Sequence, residues 1–160
     1  MPEFAVTTLI HRPVTELFAY FADPTRRAEW SDHVIAGRWL TPAPVGVGSI
    51  YEITTCQWGR TVKTRRRVTV FAPEREFTYE INSPLLYVLS RQQFEAAGDN
   101  TRYSVSGHGR LKGFARLVGF LAGQFMSTDH IAKEVADFKR ALEDGAAATG
   151  GGCNAANKPG

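Results

Sequence analysis

Arg66 is the residue whose chemistry most needs an explanation. It stands in the run Val62-Lys63-Thr64-Arg65-Arg66-Arg67-Val68-Thr69-Val70. Strand alternation puts it on one face with Val62, Thr64, Val68 and Val70. A guanidinium among valines needs a partner, because an unpaired buried charge is prohibitive. A carboxylate of the protein would serve, and so would the carboxylate, enolate or phosphate of a bound molecule. The alternative is a bulge inside Arg65-Arg66-Arg67 that turns Arg66 to water. The same alternation gathers Tyr51, Tyr79 and Tyr103, whose hydroxyls either orient a ligand or bond to the protein itself. Ser90 and Gln92 join them as the few convergent polar groups that a ligand pocket uses. Trp30 either packs in the core or contacts a ligand. Arg66 is the candidate catalytic group of this set.

Other chemistry has little support. His11, His33, His108 and His130 are scattered along the chain, with no H-x-x-x-H or Cys/His spacing, so no metal site is expected. Parity puts His108 on an outer face. There is no G-x-S-x-G elbow, no Walker A sequence and no G-x-G-x-x-G fingerprint, and no cofactor is expected. Cys56 closes a predicted strand and Cys153 lies in a small-residue tail, so no disulfide framework is expected and a reduced, cytoplasmic chain is. The net charge of +3 is too weak a bias to argue for nucleic acid. Arg60, Lys63, Arg65, Arg66 and Arg67 crowd one hairpin; they either blunt an exposed strand or attract an anionic ligand or membrane surface. No run of roughly 18 or more apolar residues occurs, and MPEFAVTTLIHR lacks the pattern of a signal peptide.

These residues must be positioned by strands. Residues 4–11 alternate loosely and read as the first strand. Pro13 suits a first helical turn, and Val14, Leu17, Phe18 and Phe21 recur at helical spacing. Asp23 before Pro24 reads as the cap of a short second helix carrying Arg26, Arg27 and Trp30. Strands follow over 49–57, 61–71, 76–82, 87–96 and 101–109, joined by connections short enough to make neighbours antiparallel. A helical stretch is predicted over 111–143. Its second half carries the stripe Ile131, Val135, Phe138 and Leu142, with Lys133, Glu134, Asp137, Lys139 and Arg140 assigned to water. Its first half, GFARLVGFLAGQFM from Gly113 and Phe114 onward, is apolar nearly all round. It either plugs one end of a cavity or serves as a lid that touches ligand or membrane. Residues 1–144 read as a single domain and 145–160 as a disordered tail.

The order of strand, two short helices, a run of strands and one long last helix is carried most clearly by PVTELFAYFADPTRRAEWSDHVIAGRWLTPAPVGVGSIYE, residues 13–52. That segment resembles the START/Bet v 1-like (SRPBCC) superfamily, and most closely its polyketide cyclase/dehydrase and lipid-transport branch. The resemblance implies an α+β helix-grip fold, in which a curved antiparallel sheet wraps around a long C-terminal helix and leaves a cavity. It implies a hydrophobic small-molecule partner, lipid-like or polycyclic, and, for the cyclases of the superfamily, aldol closure and dehydration without a cofactor. The superfamily has no universal catalytic motif to match, so no catalytic role carries over. Three functions follow: a carrier or sensor, a cofactor-independent cyclase or dehydratase, and a protein-interaction module. The candidate ligand contacts are Trp30, Tyr51, Arg66, Tyr79, Ser90, Gln92, Tyr103 and Phe114.

Overall fold

The computed structural model describes residues 3–117 and 127–145. Strand β1 (Glu3–Ile10) leads into α1 (Val14–Ala22), a 3₁₀ turn (Pro24–Arg26) and α2 (Arg27–Trp30). Then come β2 (Val34–Trp39), β3 (Ile50–Gln57), β4 (Arg60–Ala72), β5 (Glu76–Asn82), β6 (Leu86–Ala97) and β7 (Asn100–Leu111). A 3₁₀ turn (Gly113–Arg116) follows, and α3 (Thr128–Asp144) ends the described chain. The strands form one curved antiparallel sheet in the order β1-β7-β6-β5-β4-β3-β2. This is the α+β helix-grip architecture.

Local chemistry explains the element ends. Pro13 sits at the N-cap of α1, and Leu17, Phe18, Tyr20 and Phe21 bury its inner face. The Asp23 carboxylate accepts from the Thr25 amide at 3.0 Å and from the Thr25 hydroxyl at 2.6 Å, which caps the turn that follows. Trp58 and Gly59, both at positive φ, make the tight turn between β3 and β4. Ser127 caps α3 by accepting from the His130 amide at 3.2 Å, and Gly145 ends it at φ 63°.

The core lies between the sheet and the helices. Phe138, with no exposed surface, meets Trp30 at 4.9 Å and Tyr103 at 5.0 Å between ring centroids. Phe18 and Phe21 stand edge-on to Phe77 and Phe94 at 5.3 to 6.4 Å, an arrangement that suits the ring quadrupoles.

Four sequence expectations need correction. The strand pattern omits a short element, β2, which pairs only with β3 and so forms a sheet edge. The last helix does not begin near 111. Leu111 still belongs to β7, Gly113–Arg116 is a 3₁₀ turn, and the helix begins at Thr128; the apolar residues 118–126 lie outside the described residues. Val70 does not face inward. The β4–β5 register shifts between Val68 and Val70, so Phe71 takes the inner place against Phe18 and Phe77, while Val70 is 38% exposed. Cys56 is disulfide-bonded rather than a reduced thiol; Cys153 and the tail lie outside the described residues. Among those residues, no helix is long and apolar enough to cross a membrane.

Candidate functional site

Alternation along β4 keeps its phase through Arg65, Arg66 and Arg67, because the bulge comes only after Val68. Arg66 therefore faces the interior and Arg65 and Arg67 face out. Arg67 pairs with Glu80 across β5, and Lys63 and Arg65 are exposed, as expected for a strand face held in water. Arg66 stands opposite Tyr51 on β3 and near the Val68–Tyr79 pair formed with β5. Its Nη1 donates to the Tyr79 hydroxyl at 3.2 Å, and its guanidinium carbon lies 4.9 Å from the Tyr79 ring centroid. Its Nε is buried with no partner among the described residues.

A polar chain continues along the inner face of β6. Ser90 is the register partner of Tyr79, and Gln92 Nε2 donates to Ser90 Oγ at 2.7 Å. Gln92 Oε1 is buried without a partner among the described residues. The main cavity, about 310 Å³, is bounded by this chain through Arg66, Tyr79 and Ser90, by Val62, Ile81, Leu86 and Val88 of the sheet, and by His130, Ile131 and Glu134 of α3. A narrow inner extension of about 40 Å³ reaches Trp30, Gln92, Tyr103 and Phe138. An outer cavity of about 350 Å³ shares His33, His130 and Glu134 with the main one.

Arg66, Tyr79 and Ser90 thus line the main cavity, and Trp30, Gln92 and Tyr103 line its inner end. Two candidates lie elsewhere. Tyr51 is a core residue, buried between Trp39 and Tyr79 at 5.3 and 6.0 Å. Phe114 is 73% exposed on the turn after β7 and borders none of these cavities.

The electrostatics centre on Tyr79. Burial pushes its hydroxyl up, but the charges of Arg66 and Arg27 and a hydrogen bond with Ser90 outweigh that, leaving it below the ordinary tyrosine value. Tyr51 goes the other way: burial raises it to about 12 against the pull of Arg66. Burial also raises Tyr103. Burial disfavours the charge on Arg66, yet the neighbouring Tyr79, Tyr51 and Glu134 hold it firmly protonated.

Sequence reading missed Arg27 and Glu134. Arg27 is buried, its guanidinium 4.9 Å from the Phe21 ring centroid and 4.5 Å from that of Trp30. Glu134, assigned to water, borders all three cavities and accepts from Ser31 Oγ at 3.3 Å. The signal was its place one residue from Val135 and three from Ile131, at the margin of the apolar stripe. Two of the four scattered histidines meet in space: the His33 and His130 ring centroids are 5.6 Å apart.

Comparison with solved structures supports the same fold. TTHA0849 from Thermus thermophilus superposes with a TM-score of 0.70 at 14% identity, over 90% of this chain and 99% of that one. A START superfamily protein from Mycobacterium smegmatis gives 0.67 at 16% identity, over 88% and 98%. The di-domain ARO/CYC StfQ from the steffimycin biosynthetic pathway gives 0.63 at 14%, over 89% of this chain and 45% of that one. A search of curated proteins returns no match. The family model described as polyketide cyclase / dehydrase and lipid transport matches residues 1–143, and it is to this family, within the START/Bet v 1-like superfamily, that the chain belongs.

Proposed function

We propose that this protein binds a compact hydrophobic molecule that carries a carboxylate, enolate or carbonyl oxygen, and serves as its carrier or sensor. The observation that carries the reading is Arg66. Arg66 lines a cavity whose sheet side carries Val62, Ile81, Leu86 and Val88 and whose helix side carries His130 and Glu134, and its Nε is buried with no partner among the described residues. A ligand oxygen there would gain a charge-assisted hydrogen bond in a low-dielectric setting. The cavity volume lies at the small end of ligand pockets, which favours a short or folded ligand over a long extended chain. The test is native mass spectrometry of fresh protein, then displacement of a hydrophobic fluorophore by a fatty acid and by the alcohol of equal length. Preference for the acid, lost in Arg66→Met, supports the reading; equal affinity for both counts against it.

A second reading, a cofactor-independent cyclase or dehydratase, is favoured by the lowered Tyr79 hydroxyl beside a fixed positive charge. Arg66 would stabilise an enolate oxygen, and Tyr79 would move the proton. Under this reading Tyr79→Phe abolishes turnover of a poly-β-ketone analogue and leaves its binding in place. We keep a cytoplasmic location within the proposal. The disulfide at Cys56 weighs against it, and trapping thiols in intact cells decides the matter.

A further inference from the structure

Three metal-ligating side chains meet where the main and outer cavities join. His33 comes from the loop before β2, and His130 and Glu134 come from the first two turns of α3. The four-residue spacing sets 130 and 134 on one helix face. One ligand atom from each of the three lies within 4.8 Å of the others, and all three residues are half-buried. His33 Nε2 and Glu134 Oε1 are 3.3 Å apart. Two ligands held about 2.1 Å from a tetrahedral ion lie roughly 3.4 Å apart, so this pair already has the spacing of a coordinated pair.

Counting protons strengthens the case. His33 has a carboxylate oxygen at each ring nitrogen: Asp32 Oδ1 at 3.3 Å from Nδ1, and Glu134 Oε1 at 3.3 Å from Nε2. A neutral imidazole has one N–H and so satisfies only one of them. The other nitrogen then points its lone pair at an acceptor. A second proton removes that conflict, and so does a cation seated on Nε2. In the latter case Asp32 holds the Nδ1–H and orients the ring, the arrangement that supports metal-bound histidines. Ser31 Oγ, donating to Glu134 at 3.3 Å, steadies the carboxylate in the same way.

We propose that His33 Nε2, His130 and Glu134 bind one divalent cation of the zinc class, with a coordination position left open toward the main cavity. Two imidazoles and a carboxylate suit zinc and its d-block neighbours better than magnesium or calcium, which favour all-oxygen sites. All three ligands border the cavity that also contains Tyr79 and Ser90, so the open position would accept water or an oxygen of whatever the cavity holds. The proposal concerns the ion alone and stands whether or not the cavity binds a hydrophobic ligand.

The test uses the full chain, stripped with a chelator, with any free thiols blocked so that cysteine plays no part. Zinc is titrated in competition with a chromophoric chelator, and cobalt(II) is added separately to read coordination geometry from its visible spectrum. The expected result is one tight equivalent of zinc and a tetrahedral cobalt spectrum. Affinity should fall by roughly 100-fold or more in His33→Ala, and by about 10- to 100-fold in Asp32→Asn, where only the orienting partner is lost. Glu134→Gln, nearly identical in shape, should match His33→Ala and covers the case in which that variant fails to fold. Two results overturn the proposal: no zinc uptake by the parent protein, or uptake that is unchanged in Glu134→Gln. Either would leave His33 as a hydrogen-bonding neighbour of Asp32 and Glu134 and nothing more.

Discussion

Replacing Arg66 with methionine separates ligand recognition from stability, because the two should move by different amounts. Methionine fills a similar volume without charge or donors. A hydrogen bond to a charged group contributes about 1.5–3 kcal/mol. At about 1.4 kcal/mol per factor of ten, affinity for a carboxylate ligand should fall roughly 10- to 150-fold, with little change for the matching alcohol. Stability should change much less. Removing one member of a buried pair is severe when the other is stranded; here Tyr79 keeps its bond with Ser90 and Glu134 keeps Ser31 and His33, while the buried Tyr51 hydroxyl loses its bond with Arg66. Replacing a buried ionic group by an apolar one is often neutral or stabilising, so the net cost should stay within about 1–3 kcal/mol, that of one unmet buried hydroxyl. The assays are fluorophore displacement by the acid and alcohol pair, thermal melting, and a spectrophotometric titration of tyrosinate, in which Tyr79 should ionise at higher pH once the Arg66 charge is gone. Equal losses for acid and alcohol, or an unchanged tyrosine titration, would refute the assignment of Arg66 as the oxyanion partner.

Three further outcomes follow from the packing and the charges. Phe138→Ala should destabilise the fold by about 3–5 kcal/mol in urea unfolding, because the ring has no exposed surface and touches Tyr20, Phe21, Trp30 and Tyr103. Gly37→Ala should also destabilise, by about 1–3 kcal/mol or more, since a Cβ there would sit 2.0 Å from the Pro24 carbonyl oxygen; an unchanged melting temperature would mean that β2 and the Pro24 turn separate freely. The third concerns acid. The hydrogen bond from Arg91, at 2.7 Å, holds Glu76 below the usual carboxylate range. The unfolded chain binds that proton first, so the pair's contribution is present above the ordinary glutamate value of about 4.3 and is lost as pH falls through the lowered one. Melting temperature against pH should be flatter for Glu76→Gln than for the parent below about pH 4.5.

Most of the frame could be read because it rests on local rules. Asp23-Pro24, Trp58-Gly59 and the apolar spacing of Leu17, Phe18 and Phe21 each act within a few residues. Arg66 could be read as far as its parity, and the doubt over a bulge needed the β4–β5 register, which places the bulge after Val68. What escaped depends on distant contacts. Glu134 turns inward because Ser31 and His33, about a hundred residues earlier, are there to receive it. Strand β2 escaped because Gly37 interrupts its pattern, and that glycine is required by the Pro24 turn crossing above it. Tyr51 and Phe114 show the limit from the other side. Parity gives the face of a strand but not the depth at which a side chain meets the cavity, and apolar character alone does not put a residue beside it.

The two edges of the sheet are β1 and β2, although only α1, the Pro24 turn and α2 separate them in the chain. From β3 to β7 each strand pairs with the one made just before it, so that part can assemble hairpin by hairpin as it is synthesised. The first strand has no such neighbour: Glu3 pairs with His108, and Ile10 with Thr101. During synthesis, then, β1 and the apolar face of α1 must wait for β7, which is made after nearly everything else. Closing that long loop is the entropically costly step of such a topology. The strand of this sheet that is made first is the last to be paired, and in that interval the chain is most open to aggregation and to chaperones.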